Sequence, residues 1–246
     1  MEGSVLDLFS GIGGFTIACH EAGLKTNQFV EIDPFCQQVL KKNWPDIPIH
    51  DDISTFNDGA KNYNIIVGGF PCQDISIAGT GEGLKGERSG LWKEYLRLIN
   101  RYRPQYVVIE NVKRLLSLGL EEILSDLTQI GYDAEWETIP AALVGLPQAR
   151  ERVWIVAYPS GFRRERLLSS EDISEARQRW KGRKENLQSF FDFATVGTDR
   201  YPKPIVCGIH DRPSDWAHRL KCCGNAVAPD VAFIIMNKIK KELYGR

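Results

Sequence analysis

Short apolar runs and helical stretches alternate four times in the first half of the chain, and no other feature limits the fold as tightly. "SVLDLF" precedes an amphipathic stretch from Phe15 to Ala22, and "QFVEI" precedes one from Pro34 to Lys42. "NIIVGG" is followed at some distance by Leu91 to Arg101, and "QYVVIEN" by Leu118 to Ile130. Runs that are apolar without alternation suit strands covered on both faces, and helices between successive strands impose parallel pairing. The expectation is an α/β domain with a mainly parallel sheet flanked by helices, its ligands gathered where strands end. "RVWIVAY", residues 152–158, is a further strand, after which the periodicity dissolves. Helical spacing returns from Val227 to Leu243, with Pro229 near the start, where proline is tolerated. Residues 1–157 plus 220–246 are therefore expected to form one catalytic unit around a small charged region, 158–219, with weak helical signal from Ser170 to Trp180.

A chain of 246 residues fits one large domain with a small insertion. Nothing approaches the roughly 18 apolar residues of a membrane span, and "MEGSVLDLF" lacks a secretory pattern, so a cytoplasmic chain without membrane contact is expected. The six cysteines are neither dense nor paired and read as thiols of a reducing compartment. A net charge of −1 makes the whole molecule no obvious polyanion binder, and the basic excesses after Arg163 and after Arg219 are local.

In "IIVGGFPCQDIS" the apolar run stops at Gly68-Gly69. Pro71 fixes its own φ and pushes Phe70 toward extended geometry, so a stiff loop presents Cys72. A positioned thiol suits a nucleophile, although a cysteine also serves as a small buried hydrophobe. In "DLFSGIGGF", Gly11, Gly13 and Gly14 let the backbone approach an anionic group at a helix start. Thr16 stands where the dinucleotide fingerprint needs its third glycine, which disfavours a pyrophosphate and leaves a carboxylate as the better fit. Glu31, about twenty residues on, can take ribose hydroxyls. Asp52, after "IPIHDDI", can accept from an adenine amino group. Together they describe a pocket for an adenosine joined to an amino acid, against the alternative of turn glycines and solvated acids.

"DLFSGIGGF", "GGFPCQDIS", "ENV" at 110–112, "QARER" at 148–152 and "GNAVAP" at 224–229 resemble, in order, the motifs of the cytosine-5 DNA methyltransferases, most nearly the compact bacterial and phage type. The resemblance covers roughly residues 4–157 and 219–235. It implies the Rossmann-like methyltransferase fold with a reduced target-recognition region. It also implies S-adenosylmethionine as cofactor and transfer of its methyl group to carbon 5 of cytosine in double-stranded DNA.

Carbon 5 is a poor nucleophile until a nucleophile adds at carbon 6. A thiolate is needed, and with a free-cysteine pKa near 8.5 only roughly a tenth or less is ionised near pH 7.5. The resemblance makes Cys72 that nucleophile. Glu110 becomes the acid that holds ring nitrogen 3 and the amino group, with Arg150 and Arg152 in contact with the base, its phosphate or the acid. Buried strand ends usually carry apolar residues, so Glu110-Asn111 leans functional on its own. For the cofactor, the resemblance implies Phe9 against the adenine and Ser10, Gly11, Ile12, Gly13 and Gly14 around the loop. Ile12, Ile32, Ile53 and Leu91 form the apolar walls, Glu31, Asp52 and Pro71 belong to the same pocket, and Asn225 and Ala226 close it from the C-terminal segment. Phe70, Gln73, Ser76, Asn111 and Gln148 are assigned to the substrate side, Asn111 bracing the loop and Gln73 and Ser76 meeting the duplex left by a flipped base.

A recognition region of about sixty residues is shorter than the family's, which leaves a short site, relaxed specificity or a partner open. Cys207, His210, His218, Cys222 and Cys223 lie close in sequence but lack paired CxxC or HxxxH spacing, so no metal site is expected. His20 and His50 are isolated and read as surface or cap residues. The expected partners are duplex DNA and, functionally, a cognate restriction endonuclease, with the enzyme a monomer. A tRNA cytosine-5 methyltransferase and an inactive DNA-binding relative are the alternatives.

Overall fold

Continuous apolar strands can be buried on both faces only if helices cover both. The computed structural model meets that requirement; it describes residues 3–59, 61–71, 90–144, 150–162, 169, 171–175, 178, 218, 222 and 224–245. The strands are β1 (Ser4–Leu8), β2 (Lys25–Val30), β3 (Ile49–His50), β4 (Ile65–Gly68), β5 (Tyr106–Val112), β6 (Tyr132–Pro140) and β7 (Glu151–Pro159). The helices are α1 (Gly14–Glu21), α2 (Pro34–Asn43), α3 (Gly90–Tyr102), α4 (Leu115–Leu118), α5 (Leu120–Gln129) and α6 (Pro229–Tyr244), with a 3-10 turn at Ala141–Val144.

The sheet order is β3-β2-β1-β4-β5-β7-β6. Pairing is parallel from β3 through β5, and β7 runs antiparallel to both neighbours. The expected mainly parallel α/β sheet is thus present.

Alternate residues divide the core in two, as a period of two requires. Val5, Ile65, Val67, Val108 and Val156 pack on one face with α1 and α6, while Leu6, Ile66, Val107, Ile109 and Ile155 pack on the other with α3 and α5. Trp92 Nε1 donates to Asp126 Oδ2 at 2.8 Å and so ties α3 to α5. Asp33 caps α2, accepting from the amides of Phe35 and Cys36 ahead of Pro34 at the first helical turn.

Two features differ from the sequence reading. The helix expected over Leu118–Ile130 begins at Leu120 and is preceded by the separate turn α4, because the chain breaks at Gly119. Strand β6 was not anticipated. It is the sheet's edge, and Asp133, Glu135 and Glu137 alternate on it with less polar residues, so it shows none of the continuous apolar pattern of the central strands.

Most of the region 158–219 lies outside the described residues. Within it, 171–175 is helical, and Asp172 and Glu175 face Lys238 and Lys241 of α6 at 3.5 and 3.2 Å. Among the described residues no helix is long and apolar enough to cross a membrane.

Candidate active site

The carboxyl ends of β1, β4 and β5 stand side by side, in register at Leu8, Gly68 and Ile109. The chain leaves these three strands at the same edge of the sheet. The first such exit is the glycine loop. Phe9 takes φ 52°, Gly11 54° and Gly13 90°, left-handed values that glycine adopts freely and phenylalanine only under constraint. Ser10 Oγ donates to the Asp7 carbonyl at 2.7 Å, and the Gly13 amide closes the turn on the Ser10 carbonyl at 2.9 Å. A side chain on Gly13 would strike the Trp44 ring, and a Cβ on Gly14 would stand 2.6 Å from the Val227 carbonyl oxygen.

Glu31 meets this loop from the end of β2. Its Oε2 accepts from the Gly11 amide at 2.7 Å and its Oε1 from the Asp33 amide at 2.8 Å. Burial raises its pKa, and these amides hold the rise in check. Next to it Ile32 is 72% exposed, the barest of the large apolar side chains described. Asp52 is half-buried after β3. Its Oδ1 accepts from the Ser54 amide at 2.8 Å, which keeps the carboxyl below its usual range.

Other assigned residues are placed differently from one another. Phe9 is partly buried and stacks on Tyr95 with centroids 6.2 Å apart. Leu91 is partly buried at the start of α3, whereas Ile53 lies in the core beneath it. Ile12 is buried with Cys36, Val39 and Cys222, so it packs α2 rather than forming an open wall. Phe70 was assigned to the substrate side, but its ring is buried against Trp92 at 5.8 Å. Only its backbone is left for that role. The Phe70 carbonyl accepts from Asn111 Nδ2 at 3.2 Å, while Asn111 Oδ1 accepts from the Val112 amide. Pro71 is exposed. Cys72, Gln73, Ser76 and Gln148 lie outside the described residues.

Glu110 is the second focus. It follows Ile109 in β5, and a Cβ on Gly69 would stand 3.1 Å from its Oε2, so the carboxyl lies against the backbone that leads to Cys72. Arg152 Nε approaches Oε1 to 3.1 Å and Arg150 Nη2 to 3.8 Å. The Arg152 contact is an ion pair, and among the described residues Oε1 is a buried oxygen with no well-aligned hydrogen bond. Burial pushes the Glu110 carboxyl up from 4.5 to about 7, although both guanidiniums pull it down. Arg150 also donates to the Gly224 carbonyl and, at 2.7 Å, to that of Ala226. It thereby joins the start of β7 to the segment carrying Asn225, whose own side chain is exposed. Glu110, Arg150, Arg152, Trp154 and Val231 line one small pocket.

Sequence reasoning missed Asp7. It is wholly buried and raised to about 7 by burial, with Thr16 Oγ1 donating to its Oδ2 at 2.7 Å. The acid inside the apolar run "SVLDLF" was the available signal.

The family model described as "C-5 cytosine-specific DNA methylase" matches residues 3–199. The Bacillus subtilis type II methyltransferase M2.BsuMI is 41% identical over 161 residues, which cover 62% of this chain and 41% of that protein. The Neisseria gonorrhoeae type II methyltransferase M.NgoFVII is 37% identical over 159 residues, covering 62% of this chain and 42% of its own. The chain thus spans less than half the length of these relatives. The solved structure of a prophage-encoded protein (E. coli) superposes with a TM-score of 0.66 over 98% of this chain and 99% of that one. At 17% identity that likeness speaks to fold alone.

Proposed function

The chain belongs to the C-5 cytosine-specific DNA methylases, and from that membership we propose that it methylates carbon 5 of cytosine in double-stranded DNA, with Cys72 as nucleophile and S-adenosylmethionine as methyl donor. The observation that carries this reading is the buried carboxyl of Glu110, raised to about 7 despite two guanidiniums paired with its Oε1, beside the backbone that leads to Cys72. An apolar strand end would leave no such group. A cytosine turned out of the duplex offers ring nitrogen 3 and an amino group to a carboxyl of this kind.

The Cys72 thiolate adds to carbon 6, and the carbon 5–carbon 6 π pair moves into the ring. Glu110, protonated over much of the neutral range, gives its proton to nitrogen 3 as negative charge develops there. The Arg150 and Arg152 guanidiniums then stabilise the carboxylate left behind. Carbon 5, now electron-rich, takes the methyl group. A base then takes the carbon 5 proton, its electron pair re-forms the carbon 5–carbon 6 double bond and expels the thiolate, and nitrogen 3 returns its proton to Glu110, so one difficult substitution becomes two easier steps.

The residues at the other end of the sheet edge suit S-adenosylmethionine, which supplies an electrophilic methyl group when bound. Glu31 can reach ribose hydroxyls while keeping its backbone bonds, exposed Ile32 offers a bare apolar face to a base, and Asp52 is ionised. The glycine loop and the Gly224–Ala226 segment flank a place for the amino-acid end. Residues 1–157 with 220–246 form the catalytic unit in this reading, and 158–219 reads the target. The enzyme acts as a monomer inside the cell, as the modifying half of a restriction-modification pair.

Incubation with tritiated S-adenosylmethionine and either duplex DNA or tRNA tests the substrate. Label on DNA is expected; label on tRNA alone, or on neither, overturns the proposal. A duplex with 5-fluorocytosine at the target should trap a covalent adduct that Cys72→Ala does not form. Active methylation without trapping would exclude the thiolate scheme.

A further inference from the structure

The N-terminal turn of α2 and the segment before α6 meet in a cluster unused by the chemistry above. Asp33, His218 and Cys222 each direct one ligand atom to a common point, and the three atoms lie within 4.8 Å of one another. His218 Nε2 is 2.9 Å from Asp33 Oδ2, and Cys222 Sγ is 3.7 Å from the same nitrogen. Behind them the Cys36 thiol lies in hydrogen-bonding contact with that of Cys222. We propose that Asp33, His218 and Cys222 form a three-residue binding site for a borderline-soft divalent cation of the zinc class, its fourth position taken by an exogenous ligand.

The donor set selects the ion. One carboxylate, one imidazole and thiolate sulfur suit zinc, whereas calcium and magnesium require oxygen ligands almost throughout. The spacing is close to what the ion needs. Tetrahedral ligands at about 2.0–2.3 Å from zinc lie about 3.3–3.8 Å apart, which the histidine–cysteine distance already meets. The aspartate–histidine pair is closer, as an ion pair is without a cation between its members, and all three ligand atoms lie within 4.8 Å of one another, within reach of side-chain adjustment. Asp33 Oδ1 accepts from the Phe35 and Cys36 amides and stands 3.1 Å from His218 Nε2, which leaves Oδ2, 2.9 Å from the same nitrogen, as the oxygen available to a cation.

Access and enclosure also fit. The His218 side chain is 46% exposed and that of Asp33 25%, which opens a route from solvent. Ile12 and Val39 pack around the sulfur side, and the Phe35 ring stands edge-on to His218 at 6.0 Å. The sequence pattern hid the site because each half is unremarkable alone. Asp33 caps α2 three residues before Cys36, and His218 and Cys222 are four apart in sequence, so neither pair stands out alone. The fold joins the halves. A carboxylate–imidazole pair with no metal would account for Asp33 and His218, and apolar packing with Ile12 and Val39 for the buried sulfurs; a cation is what would use the Cys222 sulfur and the imidazole nitrogen 3.7 Å from it together.

Such an ion would clasp the chain just after Glu31 and Ile32 to the chain just before Asn225. That consequence rests on the cofactor reading; the metal site does not.

Cobalt(II) titrated alone into the reduced, chelator-treated full chain tests the proposal. One equivalent should bind with sulfur-to-cobalt charge transfer and the intense visible bands of tetrahedral geometry. His218→Ala and Cys222→Ser should each weaken binding at least about 100-fold, since even outer-shell changes cost 10–100-fold, with far-UV circular dichroism unchanged. Weak octahedral bands, no stoichiometric uptake, or equal affinity in both variants would mean adventitious binding and would overturn the site. Because neither cofactor nor DNA is present, that failure would leave the methyltransferase reading untouched.

Discussion

Arg152 Nε stands 3.1 Å from Glu110 Oε1, yet the carboxyl's pKa is raised, to about 7. Burial outweighs two neighbouring guanidiniums. Between pH 4.5 and 7 the folded protein therefore binds more protons at Glu110 than the unfolded chain does, so this group's contribution to stability falls as pH rises through that window. Asp7, also raised to about 7, acts with the same sign. We expect the stability of Glu110→Gln relative to the parent to move in the variant's favour from pH 5 to pH 8, by about 1–3 kcal/mol on the scale of 1.4 kcal/mol per pKa unit. Urea midpoints at the two pH values measure this. The variant's methyl transfer should fall about 10²–10⁴-fold, the usual worth of a positioned acid.

Arg150 has a different task from Arg152. It donates to the carbonyls of Gly224 and Ala226, two residues apart, which one planar fork can span and a lysine ammonium cannot. Arg150→Ala should cost about 0.5–1.5 kcal/mol of stability, the net worth of a hydrogen bond to a solvent-accessible carbonyl, and should weaken cofactor binding. Arg150→Lys should restore little of either. Calorimetric titration with S-adenosylmethionine and denaturant unfolding of both variants are the measurements.

The central strands were legible because burial on both faces leaves an uninterrupted apolar run, as at Ile65–Val67 and Tyr106–Ile109. The edge strand Tyr132–Pro140 was not, because one exposed side permits Asp133 and Glu137, and an alternating pattern is easily read as loop. The strand pattern placed Glu31 just after β2 and Glu110 near the end of β5, where the structure has them. What sequence could not supply was long-range contact. Nothing local tells that Glu31 answers the Gly11 amide, that Arg150 holds Gly224 and Ala226, or that Phe70 turns its ring into the core. His218 and Cys222 failed a local spacing test for the same reason, their partners being on α2.

Gly14 separates packing from backbone freedom. It carries no left-handed φ, so its constraint is space: a Cβ would come within 2.6 Å of the Val227 carbonyl oxygen, a backbone atom with little room to yield. Gly14→Ala should displace the segment before α6 and weaken S-adenosylmethionine binding about tenfold or more, about 1.4 kcal/mol. Gly23→Ala is the control. At φ 76° with nothing within 4 Å, it should lose about 1–2 kcal/mol to strain and leave cofactor affinity unchanged.

Glu31 and Cys72 should fail in opposite ways. Both carboxylate oxygens of Glu31 accept backbone amides, from Gly11 and Asp33. A glutamine has one acceptor, so in Glu31→Gln its NH2 must face one of those amides, donor against donor. The glycine loop should loosen by about 1–3 kcal/mol, the cost of an unsatisfied buried donor. In the proposed mechanism Glu31 touches only the cofactor and makes no bond that changes during reaction. Its loss should therefore raise KM for S-adenosylmethionine with kcat little altered, the mark of binding removed equally from ground and transition states. Cys72→Ala should do the reverse, abolishing kcat while the Kd for the cofactor stays within a few fold. Parallel kinetics and calorimetry on the two variants decide the matter: a Glu31→Gln enzyme whose kcat collapses at saturating cofactor would place Glu31 in the chemistry.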